Sequence, residues 1–317
     1  MMGIVELRAF GKTDLRVSPF GLGCARIGGI FQSDTKGFLN LLSTARDFGI
    51  NFFDTADMYS QGESEVLVGK AFRRVRQRVI ITSKAGFCLP GRRRFAARLK
   101  PILRPLIRAF KLRRSQMSSG ARGVLSQNFE PAYLEKAVEG SLRRLRTDYL
   151  DLFQLHSPPA EVIARGEWQP ALERLKQAGK IRYYGISCDT IEAGHAALKF
   201  PEVASLQFLF NLLERTAEDS LLPTARAQGV GVIARECLAN GLLVKDASEI
   251  DLGNYVRSDE ERKLREEQLA TIRRQAQEEG RSLMSKALRY AADTDGVSVA
   301  LVGARNVDQL RGLLRAL

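Results

Sequence analysis

A chain of 317 residues with 44% hydrophobic and 27% charged side chains has the make-up of a globular protein with a full core. It contains no run of about eighteen apolar residues, which excludes a membrane-spanning helix, and its start lacks the basic-then-apolar pattern of a secretory signal. The net charge of +13 points towards nucleic acid only until its placement is examined. Eleven Lys/Arg and no Asp or Glu lie between Cys88 and Phe129, so the basicity belongs to one segment.

Four cysteines (Cys24, Cys88, Cys188, Cys237) stand far apart with no Cys-x-x-Cys pair. That spacing argues against a disulfide or zinc framework and for a reducing cytoplasm. With two histidines in the chain, a multi-histidine metal site is not expected.

In chain order, residues 4–10 and 14–20 read as a hairpin around Gly11-Lys-Thr-Asp14, able to close one end of a barrel. Apolar strand candidates then follow at Phe20–Gly23, Asn51–Asp54, Val79–Lys84, Asp151–His156, Arg182–Ser187, Val203–Gln207, Gly231–Ala234 and Ser298–Val302. Helical periodicity lies between them near 36–48, 64–75, 131–146, 170–178, 190–199, 217–228, 282–292 and 307–316. Eight β-then-α units over roughly 300 residues predict a single (β/α)₈ TIM barrel spanning 1–317. An open doubly wound sheet is disfavoured, because no Gly-x-Gly-x-x-Gly follows the first strand candidate. Two inserts break the rhythm, the basic one at about 88–129 and a second at 238–280 that ends in a charged helix over 259–279.

Three strands end on different proton-handling groups. Asn51–Asp54 ends on a carboxylate and is followed by a loop carrying Tyr59. Val79–Lys84 ends on an amine, and Asp151–His156 on an imidazole. An unperturbed phenol, with pKa about 10, is a poor proton donor to a carbonyl at neutral pH. A nearby ammonium lowers that pKa, a carboxylate keeps the ammonium charged and in place, and a neutral imidazole orients a carbonyl. Any one of these alone is an ordinary strand-end cap; together at three strand ends they suggest one shared site. His195, in a helical pattern, reads as structural.

The run Asn51-Phe-Phe-Asp-Thr-Ala-Asp-Met-Tyr59, with Gly62-Glu-Ser-Glu65 and Val68-Gly69 after it, resembles the signature of the aldo-keto reductase superfamily. The resemblance implies a (β/α)₈ barrel that binds NADP(H) in extended form and interconverts an aldehyde or ketone with its alcohol. Tyr59 would be the proton donor, Lys84 its partner, Asp54 the lysine's ion-pair mate and His156 the carbonyl-orienting group. By the same resemblance, Gly23 and Cys24 belong to the loop whose backbone contacts the nicotinamide. Ser187 and Gln207 match its carboxamide contacts, with Cys188 where asparagine is usual. Arg235 replaces a ring-stacking tyrosine, and Leu238 follows in the same loop. Gly303, Arg305 and Gln309 resemble the phosphate-binding loop, which favours NADP(H) over NAD(H). No metal is implied.

From Phe95 to Lys111 the basic insert alternates apolar and basic residues at helical spacing, interrupted by Pro105. Three readings stand: a lid over the substrate pocket, a surface within 92–114 for a membrane or anionic partner, or disorder. Nucleic acid is not expected, since the insert has no tryptophan, tyrosine or recognition motif. A rival to the enzyme is a cofactor-sensing or partner-docking protein on the same fold, prompted by the departures at Cys188, Arg235, Gly312 and Leu313.

Overall fold

The computed structural model describes residues 6–28, 34–88, 126–244, 250, 252, 256 and 258–316. Its strands are β1 (Arg8–Ala9), β2 (Arg16–Val17), β3 (Phe20–Gly23), β4 (Phe52–Asp54), β5 (Ile80–Ala85), β6 (Phe87–Cys88), β7 (Ser126–Gln127), β8 (Leu150–His156), β9 (Ile181–Ser187), β10 (Ser205–Leu209), β11 (Gly231–Arg235) and β12 (Val297–Val302). Eight of them close into a parallel barrel in the order β3, β4, β5, β8, β9, β10, β11, β12 and back to β3. This is the (β/α)₈ architecture expected from the alternation of apolar runs and amphipathic stretches.

The helices are α1 (Thr35–Asp47), α2 (Glu63–Phe72), α3 (Pro131–Leu145), α4 (Ala160–Arg165), α5 (Gln169–Gln177), α6 (Ile191–Ala197), α7 (Leu221–Ala227), α8 (Asp259–Glu278), α9 (Leu283–Asp293) and α10 (Val307–Arg315). Local chemistry sets their ends. Asp34 caps α1 by accepting from the Gly37 N–H at 2.7 Å, and α1 buries Phe38, Leu41, Leu42 and Ala45, one face of a 3.6-residue period. Proline starts α3, and Arg146 ends it in the left-handed conformation. His195 sits on α6, its Nε2 3.3 Å from the Ser220 hydroxyl.

Two separate apolar layers hold the fold. The outer one lies between strands and helices and includes Phe53, Ile81, Phe153, Ile186 and Val232. The inner one fills the barrel floor: Phe52, Ile80, Leu152, Ile233, Val299 and Leu301 meet Phe10, Leu15 and Val17 from the hairpin. Each such side chain, fully buried, contributes roughly 1.5–3 kcal/mol. The hairpin therefore plugs the N-terminal end. Its pairing is shorter than expected, Arg8 with Val17 and Ala9 with Arg16, because Phe20 is already committed to the barrel through β12. Gly11 makes the plug possible at φ +53°. A Cβ there would stand 2.4 Å from the Gly229 carbonyl oxygen.

At the opposite end, β6 and β7 pair antiparallel, Phe87 with Gln127 and Cys88 with Ser126. They form a stem at the base of the basic insert; the helix expected over Phe95–Lys111 and the 92–114 surface lie outside the described residues. The charged helix expected over 259–279 is α8. Among the described residues no helix is long and apolar enough to cross a membrane.

Candidate active site

Strand alternation builds the site on the same strands that build the floor. Side chains two positions apart share a face, so most of the inward-pointing columns run from apolar at the N-terminal end to polar at the C-terminal end. Phe52 leads to Asp54 and Ile80 to Lys84. Leu152 leads to His156, Tyr183 to Ser187, Ser205 to Gln207, and Ile233 to Arg235. Three of the four proton-handling residues thus arrive in one place by parity alone, and the loop after β4 adds Tyr59.

The four converge. Lys84 Nζ donates to both carboxylate oxygens of Asp54 at 2.6 Å and to the Thr55 carbonyl at 3.1 Å. Its Nζ also lies 5.2 Å from the centre of the Tyr59 ring. The Tyr59 and His156 rings meet edge to face at 5.8 Å, and Phe87 also packs edge-on with the imidazole at 4.9 Å. Asp54 and Lys84 are buried, at 3% and 1% exposure.

Electrostatics inside this cluster differ in one respect from the sequence expectation. Burial pushes the Tyr59 phenol above its ordinary value; Lys84 pulls it down, Asp54 pushes it up again, and the net direction is up. The lysine's effect has the expected sign, but desolvation outweighs it. The phenol is therefore protonated at neutral pH, the state a proton donor needs. For Lys84, burial lowers the amine, yet Asp54 and Tyr59 more than compensate, so it stays an ammonium.

Burial drives the His156 imidazole down to about 3, with Lys84 and Arg235 adding in the same direction, and its Nδ1 has no hydrogen-bond partner among the described residues. Because the folded value lies below the unfolded value of about 6.5, the native state binds fewer protons across that window. His156 is thus expected to favour folding above pH 6.5 and to lose that contribution as pH falls towards 3, at about 1.4 kcal/mol per unit. Denaturant unfolding at stepped pH checks this: His156→Gln should flatten the acid limb. Parallel curves for the two proteins would refute it.

The Gly62-Glu-Ser-Glu65 stretch acts as scaffold. Ser64 Oγ donates to the Cys24 carbonyl at 2.9 Å and lies 2.9 Å from Thr55 Oγ1. Fully buried Glu65 accepts from Ser83 Oγ at 2.6 Å and pairs with Arg144 at 2.5 Å. These contacts tie the loop after β4, the strand of Lys84 and α3 together. Ser60 and Gln61, at φ 49° and 60°, turn the chain sharply after Tyr59, and Ser60 Oγ anchors the turn on the Ile27 carbonyl at 3.0 Å.

The remaining sequence-derived positions are placed as follows. Gln207 Nε2 donates to Asp54 Oδ1 at 3.0 Å, an additional support for the carboxylate. Ser187 is buried beside it on the neighbouring strand. Cys24 and Cys188 fall on the opposite parity, and their thiols are fully buried in the outer apolar layer. Burial raises both thiols, Cys188 to about 12, so neither is a thiolate. Gly23 is half-buried at the end of β3, and Leu238 packs on both the outer layer and a small cluster with α8.

Arg235 is clamped, by Asp189 at 2.7 Å and Glu236 at 2.8 Å; Asp189 also accepts from Ser157 Oγ at 2.9 Å. Nothing in the sequence singles out Asp189 or Ser157, which are ordinary loop residues until the barrel closes. At the end of β12, the Arg305 N–H donates to Gln309 Oε1, and Asn306 caps α10 through the Gln309 N–H, both at 2.8 Å. Leu313 is buried on α10, whereas Gly312 is exposed. Among the described residues no group of three His, Cys, Asp or Glu could hold a metal.

A parallel eight-stranded barrel with a phenol, an ammonium, a carboxylate and a neutral imidazole at its C-terminal mouth defines a class of carbonyl-handling oxidoreductases. The chain belongs to the aldo/keto reductase family, whose model matches residues 19–317, and is an NAD(P)H-dependent oxidoreductase of the C=O/CH–OH pair. It is 32% identical to the uncharacterized oxidoreductase YqkF of Bacillus subtilis, over 98% of this chain and 90% of that protein. It is 30% identical to the NADH-specific methylglyoxal reductase of Escherichia coli over 74% of this chain and 67% of that protein. The aldo-keto reductase AKR11C1 from Bacillus halodurans, in its holo form, superposes with a TM-score of 0.77 at 31% identity, covering 98% and 90% of the two chains. An aldo/keto reductase from Klebsiella pneumoniae, solved with NADP and acetate, superposes at 0.68 with 25% identity, covering 98% and 89%.

Proposed function

We propose that this chain interconverts an aldehyde or ketone with the corresponding alcohol using NADP(H), with Tyr59 giving the proton in reduction and taking it back in oxidation. The observation that carries the reading is the chain of contacts from Tyr59 through Lys84 to Asp54, set beside a neutral His156. When bound, the nicotinamide supplies or accepts the hydride. The protein's own groups handle the proton and the carbonyl. Tyr59 donates to the developing alkoxide, and Lys84 stabilises the phenolate left behind. Asp54 and Gln207 keep Lys84 charged and fixed. The imidazole of His156, kept neutral, orients the carbonyl oxygen without competing for the proton.

Ser187 and Gln207 are assigned to the carboxamide; the Nε2 of Gln207 is engaged by Asp54, which leaves its Oε1 for that contact. Gly23, Cys24 and Cys188 would contribute through their backbones, since both thiols are buried elsewhere, and Arg235 and Leu238 through the loop after β11. Gly303, Arg305 and Gln309 are assigned to the adenosine 2′-phosphate. Gly303 has open space where a side chain would be, and Arg305 is exposed without a carboxylate partner among the described residues. One guanidinium at a helix start suits a phosphate dianion. The cofactor preference is open to a direct check, because one relative is NADH-specific and another was solved with NADP.

Fluorescence titration with NADPH and NADH, followed by a panel of carbonyl compounds, tests the reading. Tight NADPH binding with no oxidation across the panel would favour the cofactor-sensing alternative. Arg305→Gln is expected to weaken NADPH binding about tenfold, the worth of one charge-assisted contact, with NADH binding unchanged. Equal losses for both cofactors would remove Arg305 from the 2′-phosphate. The four cysteines are free, which supports a cytoplasmic setting for this chemistry.

A further inference from the structure

At the barrel end opposite Tyr59, the turn joining α2 to β5 carries Arg73, Arg74, Arg76 and Arg78 within six residues. Arg76 holds the turn in place. Its guanidinium donates to Thr147 Oγ1 and to the Val79 and Tyr149 carbonyls, each at 3.0 Å, pairs with buried Asp151 at 2.7 Å and lies 4.1 Å over the Tyr149 ring. Backbone bonds from Val75 to Phe72 and from Arg78 to Val75, both at 2.8 Å, tighten it further. The other three arginines project from this pinned turn. All three are exposed, and none has a carboxylate partner among the described residues.

Neighbouring chain adds to the charge. A Cβ on Gly69 would stand 2.1 Å from the Leu145 carbonyl oxygen, so the ends of α2 and α3 touch there. Lys70 follows Gly69 on α2, and Arg143 and Arg146 stand two residues before and one after Leu145; all three are exposed, and Arg143 pairs with Glu139 at 3.9 Å. Lys70 and Arg143, in the last turns of their helices, have an ordinary explanation: cations there complement the helix dipole. Arg78 lies six residues past the end of α2, where the dipole gives no account of it. Residues 73–78 line an open concavity of about 380 Å³. Like charges crowded on one turn oppose folding, and a bound polyanion relieves that repulsion.

We propose that this turn is a binding site for a ligand carrying two or more contiguous phosphate groups, separate from the reaction site. Guanidinium forks pair with phosphate oxygens bidentately, and three unpaired arginines around one hollow match several adjacent negative charges better than a single one. Such a phosphate chain comes either as a free inorganic oligophosphate or as the phosphate arm of a nucleotide.

The experiment is calorimetric titration and thermal unfolding of the full chain at low ionic strength, where screening is weakest. The probes are inorganic tripolyphosphate, ATP and orthophosphate. Tripolyphosphate is expected to bind, to raise the melting temperature, and to outcompete orthophosphate. In the Arg73→Gln/Arg74→Gln/Arg78→Gln variant, binding should weaken by at least about tenfold, while the ligand-free melting temperature stays level or rises. Equal affinity for ATP and tripolyphosphate assigns the site to the phosphate chain; tighter ATP binding assigns it to a nucleotide. The proposal is overturned by unchanged affinity in the triple variant, by a loss confined to Arg305→Gln, or by absence of binding at millimolar tripolyphosphate. None of these readouts depends on carbonyl turnover.

Discussion

Tyr59→Phe is expected to lower kcat for carbonyl reduction by about 10²–10⁴-fold, the usual worth of a positioned general acid, while NADPH affinity changes little. The substitution removes one oxygen and keeps the ring. The edge-to-face contact with His156 and the packing over Lys84 are therefore retained. Lys84 keeps Asp54 and the Thr55 carbonyl, so the ammonium stays in position. Steady-state kinetics with the better cofactor, together with a binding titration, separate the two effects. A variant with near-wild-type kcat would mean that another group delivers the proton.

The second large effect is on the buried ion pair. Lys84→Met should cost about 3–5 kcal/mol of stability, because it leaves the Asp54 carboxylate in the barrel interior with Gln207 as its one side-chain donor among the described residues. Catalysis should be lost as well, since the phenolate formed at Tyr59 has no cation beside it. Stability and catalysis can be separated with Asp54→Asn/Lys84→Met, which removes both charges together. That double variant is expected to recover most of the stability and none of the turnover. Denaturant midpoints for the three proteins decide the matter. A single variant as stable as wild type would show that the pair contributes nothing to holding the site.

Much of the barrel is legible in the sequence because each strand is a short apolar run bounded by polar turns. The Phe20–Gly23 strand matches its expected limits, and others move by a residue or two, as where Ser205–Leu209 replaces Val203–Gln207. The helix Ala160–Arg165 is not legible in the sequence: six residues give less than two turns, too few for a 3.6-residue period to stand out. The hairpin is shorter than residues 4–10 and 14–20 suggest, because pairing ends where the chain must enter the barrel.

What the sequence determined by itself is which chemical groups stand at the strand ends and which face each one takes. Alternation in a strand is a local rule, so Phe52 below Asp54 and Leu152 below His156 follow from counting residues. The tertiary structure alone decided how those groups affect one another. Gln207 reaches Asp54 across a separation of 153 residues, and Asp189 meets Arg235 only when neighbouring strand-end loops come together. The net upward direction of the Tyr59 phenol is of the same kind. Desolvation depends on everything packed around the hydroxyl, and no pattern of residues along the chain records that total.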